Sequence, residues 1–68
     1  MRRAEMQSLL ALPWAKFNTA LMKIEDEVII GAIIGLEDEG KNRTRVKLRL
    51  HARMNKLRAE RERREIMR

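Results

Sequence analysis

Apolar residues recur with a helical period, most clearly in the C-terminal half of the chain. Four of them fall within about 80 degrees of one another when each residue advances about 100 degrees around a helix. They form an apolar stripe, Val46, Leu50, Met54 and Leu57. Residues 44–66 contain neither glycine nor proline and consist mainly of strong helix formers. We therefore predict one long helix, capped by Asn42 or Thr44 and ending near Ile66.

Local signals divide the first 40 residues into further helical stretches. Residues 1–12 have a helix-forming composition, and Pro13 suits the first turn of a helix, where its missing N–H is no loss. A second stretch runs to about Lys23, either fused with the first into one kinked helix or separate from it. The acids in residues 24–27 predict the start of another helix, since carboxylates are favourable at the positive end of its dipole. Gly40 is a natural C-terminal stop for that helix.

These elements predict an all-α fold, a compact three-helix domain with a long basic C-terminal helix. We expect a single domain over residues 1–68, with residues 1–40 as the packing half and residues 41–68 as the basic helix. A domain of this size buries only about 60% of the surface that its unfolded chain exposes, so its stability is marginal. We therefore expect a homo-oligomer, or folding on a partner, to supplement the core.

A β-hairpin is the competing prediction for the middle of the chain. Residues 28–36 include five β-branched residues and two glycines, which is poor helix material. Residues 45–53 alternate strictly between basic and apolar side chains, which is typical of a strand. An α+β fold would pair residues 27–36 with residues 44–52. Against it, a strand that is apolar on both faces needs cover on both sides, which a chain of this size supplies with difficulty.

The composition limits the chemistry that this chain offers. It has no cysteine, which excludes disulfides and thiolate metal sites, and its single histidine, His51, lacks a second ligand or a catalytic partner. Trp14 and Phe17 are the only aromatic residues, and we interpret them as core anchors rather than base-stacking platforms. We therefore expect no cofactor, no metal and no enzymatic activity.

Neither apolar run is long enough for a membrane or export signal. The run of residues 9–12 is interrupted by Pro13, and the run of residues 28–36 is about half of what a bilayer span requires. We expect no membrane partner and a cytoplasmic protein, or one in the host cytoplasm if a phage encodes it.

Charge is distributed unevenly along the chain. Residues 1–40 hold four basic and seven acidic side chains, whereas residues 41–68 hold twelve basic and three acidic ones. Residues 41–58 alone contain eight basic side chains and no carboxylate. Such a division is typical of a scaffold that presents one cationic element to a partner.

The cations of the predicted long helix gather beside its apolar stripe. On a helical wheel most lie along one edge, and Lys47, Arg58 and His51 lie on the other. Convergent arginine and lysine neutralise phosphates and release their counterions. We therefore predict a nucleic-acid-binding protein, for DNA or RNA, with a regulatory role and a cellular or phage origin. The predicted binding residues are Arg43, Arg45, Lys47, Arg49, Arg53, Lys56 and Arg58.

Two other functions account for the same features. A regulator or inhibitor could dock the basic helix on an acidic protein partner, such as a polymerase or nuclease. Alternatively, a structural oligomer could use the apolar stripe as its assembly seam. The spacing of Gly40 and Val46 also partly matches a helix-turn-helix, and Gly31 and Gly35 could allow a second helix to approach closely.

Overall fold

The computed structural model describes residues 1–67, which form four helices and contain no strand. The helices are α1 (Arg3–Leu10), α2 (Trp14–Met22), α3 (Glu27–Glu39) and α4 (Thr44–Ile66). The all-α prediction is confirmed, and the number of helices is four rather than three because the first two stretches are separate. Pro13 lies just before α2, where its carbonyl accepts the N–H of Phe17 at 2.8 Å.

The β-hairpin alternative is wrong, because both of its proposed strands are helical. The β-branched residues of α3 include Ile30, Ile33 and Ile34, which are buried at the spacing of one helix face. The alternation in residues 45–53 does not separate two faces of a strand either. Val46 and Leu50 are buried one helical turn apart, while Leu48 between them is 65% exposed.

Local capping explains where α3 begins and ends. The Asp26 side chain accepts the N–H of Val28 at 2.9 Å, as the acids before the helix predict. At the other end, the N–H of Gly40 donates to the Leu36 carbonyl at 3.0 Å. Asn42 then adopts a left-handed conformation with φ of 51°. The prediction that Asn42 or Thr44 caps α4 is wrong, since Arg43 is its N-cap residue and makes no side-chain cap hydrogen bond within residues 1–67.

Helices α3 and α4 lie antiparallel along their length. Glu27 at the start of α3 contacts Arg61 at 2.8 Å, and Asp38 near its end contacts Lys47 at 3.1 Å. The helices of a helix-turn-helix cross at about 90–120° instead, so the partial match to that motif does not correspond to its geometry. Helix α1 packs on α3, and α2 packs on α1 and α4.

The apolar stripe belongs to the core of the single chain. Val46, Leu50 and Leu57 are buried, and Met54 packs against them. The stripe is therefore covered by the chain's own helices, and it is not available as an assembly seam in this fold. Beyond Leu57 every residue of α4 is exposed, so the helix extends past the core and contributes to the 40 Å long axis of the molecule. None of the helices in residues 1–67 is long and apolar enough to cross a lipid bilayer.

Candidate nucleic-acid interface

The seven predicted binding cations lie in three different environments. Arg43 and Arg53 hold helices together through hydrogen bonds, and Lys47 pairs with a carboxylate of α3. The other four are partly or fully exposed on α4. These four are Arg45, Arg49, Lys56 and Arg58.

Arg43 links the turn between α3 and α4 to the end of α1 through hydrogen bonds. Its Nε donates to Oε1 of Glu37 at 2.7 Å, and its Nη2 donates to the carbonyl of Leu10 at 2.8 Å. The backbone N–H of Arg43 also donates to Oε1 of Glu37 at 3.0 Å. The Glu37 residue is only 2% exposed, and these hydrogen bonds from Arg43 lower the pKa of its carboxyl although burial opposes the effect. The guanidinium of Arg43 thus forms its hydrogen bonds within the protein and stabilises the fold.

Arg53 closes the C-terminal end of α2. It is 5% exposed, and its Nη2 donates to the carbonyls of Met22 and Ile24 at 3.1 and 3.0 Å. The last carbonyls of a helix lack intrahelical partners and lie at the negative end of its dipole, so a cation stabilises them. Because its guanidinium is buried against these carbonyls, we leave Arg53 out of the candidate interface.

Lys47 faces α3 and is neutralised there. Its ammonium lies 3.1 Å from Oδ1 of Asp38 and also donates to the side-chain oxygen of Asn42. Nearby, Arg3 approaches Glu39 at 3.8 Å. The acids at the end of α3 therefore offset cations on their own side of the molecule.

Arg45 and Arg49 are oriented by neutral groups of α2. The guanidinium carbon of Arg45 lies 3.9 Å from the centre of the Trp14 ring. Arg49 donates from Nε to Oδ1 of Asn18 at 2.7 Å and from Nη2 to the sulfur of Met22 at 3.4 Å. An indole, an amide and a thioether restrict these guanidinium groups without cancelling their charge.

Lys56 lies farther along the same edge of α4, seven residues or two helical turns after Arg49. We call Arg45, Arg49 and Lys56 the basic edge. Within residues 1–67, none of the three has a carboxylate oxygen within 4.0 Å. The basic edge is therefore a row of partly or fully exposed cations beside α2 whose charge is not offset by an acid in the described residues.

The exposed side of α4 continues from the basic edge to Arg58 and His51 on the opposite edge. Between the two edges runs a line of exposed residues at alternating spacings of four and three. We call this line the outer face; it consists of Leu48, Ala52, Asn55 and Ala59. Arg58, like the basic edge, has no carboxylate partner in the described part of the chain.

The sequence interpretation missed the residues that orient the cations. Trp14, Asn18 and Met22 follow one another at intervals of four along α2, so they lie on one side of that helix. The i, i+4, i+8 spacing was visible in the sequence, but its link to Arg45 and Arg49 depends on how α2 packs against α4.

The exposed side of α3 is smooth. Gly31 and Gly35 lie there with Val28 and Ala32, and a Cβ atom added at either glycine would meet nothing within 4 Å. A second helix could therefore approach this side of α3 without a steric clash. The homo-oligomer itself stays a prediction.

The chain matches no protein-family model, and neither the curated proteins nor the solved structures contain a significant match to it.

Proposed function

We propose that this protein binds nucleic acid, and that Arg45, Arg49, Lys56 and Arg58 of α4 contact the phosphates. One observation supports the proposal above all. The guanidinium groups of Arg45 and Arg49 are oriented by neutral side chains of α2, and no carboxylate within residues 1–67 lies close enough to neutralise them.

Orientation by neutral groups favours phosphate binding in two ways. Each cation keeps its charge, so each phosphate contact releases a counterion. A guanidinium that is already restricted also loses less conformational entropy when it binds. From Arg45 to Lys56 the basic edge extends about 17 Å along the helix, and a nucleic-acid strand rises about 3.4 Å per nucleotide. This length matches a row of several phosphates rather than one isolated anion.

A titration of labelled oligonucleotides over a range of salt concentrations tests the proposal. If the four cations contact four phosphates of duplex DNA, the logarithm of affinity falls against the logarithm of salt with a slope of about −3.6. The double variant Arg45→Gln/Arg49→Gln removes two of these contacts, so we expect a slope shallower by about 1.8. Fluorescence anisotropy of the oligonucleotide gives both numbers, and circular dichroism verifies that the variant is folded.

The double variant Lys16→Gln/Lys23→Gln is the matched control. It removes the same charge from two exposed lysines, one within α2 and one at its C-terminal cap, that line a surface depression together with Leu9. We expect this variant to keep the native slope. An equally shallower slope in the two variants would mean that net charge alone governs binding. The absence of any complex at low salt would refute the proposed function.

A second candidate is docking on an acidic protein surface, which is favoured by the exposure of Leu48. This leucine is 65% exposed and lies between cationic edges, and apolar centres with polar rims are typical of protein interfaces. In a nuclease-treated extract, the native protein would capture a partner held this way, and the Leu48→Gln variant would not. The regulatory role predicted from the sequence remains a prediction under either function.

A further inference from the structure

We infer, on the basis of the proposed function, that α4 enters the major groove of duplex DNA with its outer face and that Asn55 contacts an adenine edge. The outer face is open along its length because the neighbouring helices cover other sides of α4. Helix α2 meets α4 through Arg49 and Arg53, and α3 meets it through Lys47 and Arg61. The side chains at positions 48, 52, 55 and 59 are all exposed.

The shape of this face suits a groove. An α-helix with its side chains is about 10–12 Å across, and the major groove of B-form DNA is about 12 Å wide. Ala52 and Ala59 have the smallest side chains that present a Cβ, so the α4 backbone can approach the groove floor closely. The segment from Leu48 to Ala59 is about 17 Å long, which corresponds to about five base pairs.

The charges of α4 also fit a groove with two phosphate walls. Arg45 and Lys56 lie on the α2 side of the outer face, and Arg58 lies on the α3 side. A single strand offers one row of phosphates, whereas a groove has a row on each side. In A-form RNA the major groove is deep and narrow, and side chains do not read it. This arrangement therefore favours duplex DNA over both alternatives.

Asn55 is the group on the outer face that can recognise a base. Its amide is exposed, makes no side-chain hydrogen bond within the described residues, and lies between Ala52 and Ala59, neither of which shields it. An asparagine amide pairs with N6 and N7 of adenine in the major groove. Glu62, three residues after Ala59, would repel phosphate and limits the contact at that end.

Three competitors of equal length and sequence test groove entry against a labelled DNA duplex. They are the unlabelled DNA duplex, the RNA duplex and the separate DNA strands. We expect the DNA duplex to compete at least tenfold better than the other two. If all three compete equally, groove entry is wrong while the proposed function stands. If the labelled duplex itself is not bound at low salt, the proposed function fails as well.

A DNA duplex with 7-deazaadenine tests the Asn55 contact. This base lacks the N7 acceptor in the major groove and is otherwise unchanged. A bidentate contact contributes about 1–3 kcal/mol of base discrimination, so we expect the native protein to bind the modified duplex about tenfold more weakly. The Asn55→Ala variant should bind both duplexes with equal affinity. The control variant Gln7→Ala, which removes an exposed amide of α1, should keep the native ratio of the two affinities. Equal native affinity for both duplexes would overturn the contact.

Discussion

At the scale of single residues, the group opposite each arginine decides its role. Arg43 faces a buried carboxylate and Arg53 faces backbone carbonyls, so both are engaged in the fold. Arg45 and Arg49 face an indole and an amide, which restrict the side chain and leave its charge intact. Within a segment of eleven residues, two arginines thus stabilise the fold and two others belong to the proposed interface.

The pair formed by the buried Glu37 and the partly exposed Arg43 makes folding dependent on pH. The pKa of Glu37 is lowered in the folded protein, so its ionised form stabilises the fold above the ordinary pKa of a carboxyl group, and this stabilisation is lost as pH falls through the folded pKa. Glu37→Gln breaks the ion pair, and because Arg43 is partly exposed to solvent we expect it to lower the free energy of unfolding at neutral pH by about 1–3 kcal/mol. Urea denaturation at a series of pH values measures the effect. The difference in unfolding free energy between the variant and the native protein should become smaller in acid.

Glu39→Gln is the control for this experiment. The Glu39 side chain is 72% exposed and lies 3.8 Å from Arg3, so its pair is a surface ion pair worth about 0–1 kcal/mol. A Glu37 variant no less stable than the Glu39 variant at neutral pH would contradict the structural role assigned to the buried carboxylate.

At the scale of helices, sequence signals predicted the elements better than the side-chain partners. The glycine stop after α3, the acids before it and the apolar stripe of α4 are local features, and each is found where the sequence places it. The role of Arg53 was not predictable in this way. Its helical position placed it with the other cations, but its partners are Met22, the last residue of α2, and Ile24 just beyond it, about thirty residues earlier in the chain. Only the packing of α2 on α4 shows which cations already have hydrogen-bond partners within the fold.

Helix α2 therefore depends on a residue of α4 for its C-terminal closure. Arg53→Met keeps the apolar part of the side chain but leaves the Met22 and Ile24 carbonyls without their donor, so we expect a loss of about 1–3 kcal/mol in unfolding free energy. Arg53→Lys should recover part of that loss. Arg58→Met, at an exposed site, should leave stability native and weaken oligonucleotide binding. Thermal denaturation followed by anisotropy titration separates the two effects, and a stable Arg53→Met variant with impaired binding would reverse the assignment.

At the scale of the whole molecule, charges and core are arranged around α3 and α4. Acids at the two ends of α3 pair with Arg43, Lys47 and Arg61, which belong to the turn and to α4. The basic edge on the α2 side is left without such pairing in residues 1–67. The core itself is small and mainly aliphatic, with Phe17 as its one buried aromatic residue in the described chain, and Leu21, Ile30, Ile33 and Leu50 are fully buried. Stability and the proposed binding function thus depend on the same long helix, through different sides of it.

Removing one core side chain from this helix should bring the protein to the limit of its stability. Leu50 is 0% exposed, and truncation of such a leucine to alanine costs about 2–5 kcal/mol, whereas a core of this size rarely supplies more than about 3–5 kcal/mol in total. We therefore expect Leu50→Ala to be largely unfolded at room temperature by circular dichroism. Val28→Ala, at an exposed site of α3, should remain helical.

A ligand that binds only the folded state should reverse this unfolding. At a free concentration 100-fold above its dissociation constant, it stabilises the fold by about 2.7 kcal/mol. Duplex DNA should thus restore helicity to Leu50→Ala at low salt and fail to do so at high salt, where phosphate contacts weaken. In the triple variant Leu50→Ala/Arg45→Gln/Arg49→Gln the rescue should largely disappear, because the basic edge is reduced to Lys56. Rescue that persists in the triple variant would place DNA binding on another surface of the protein.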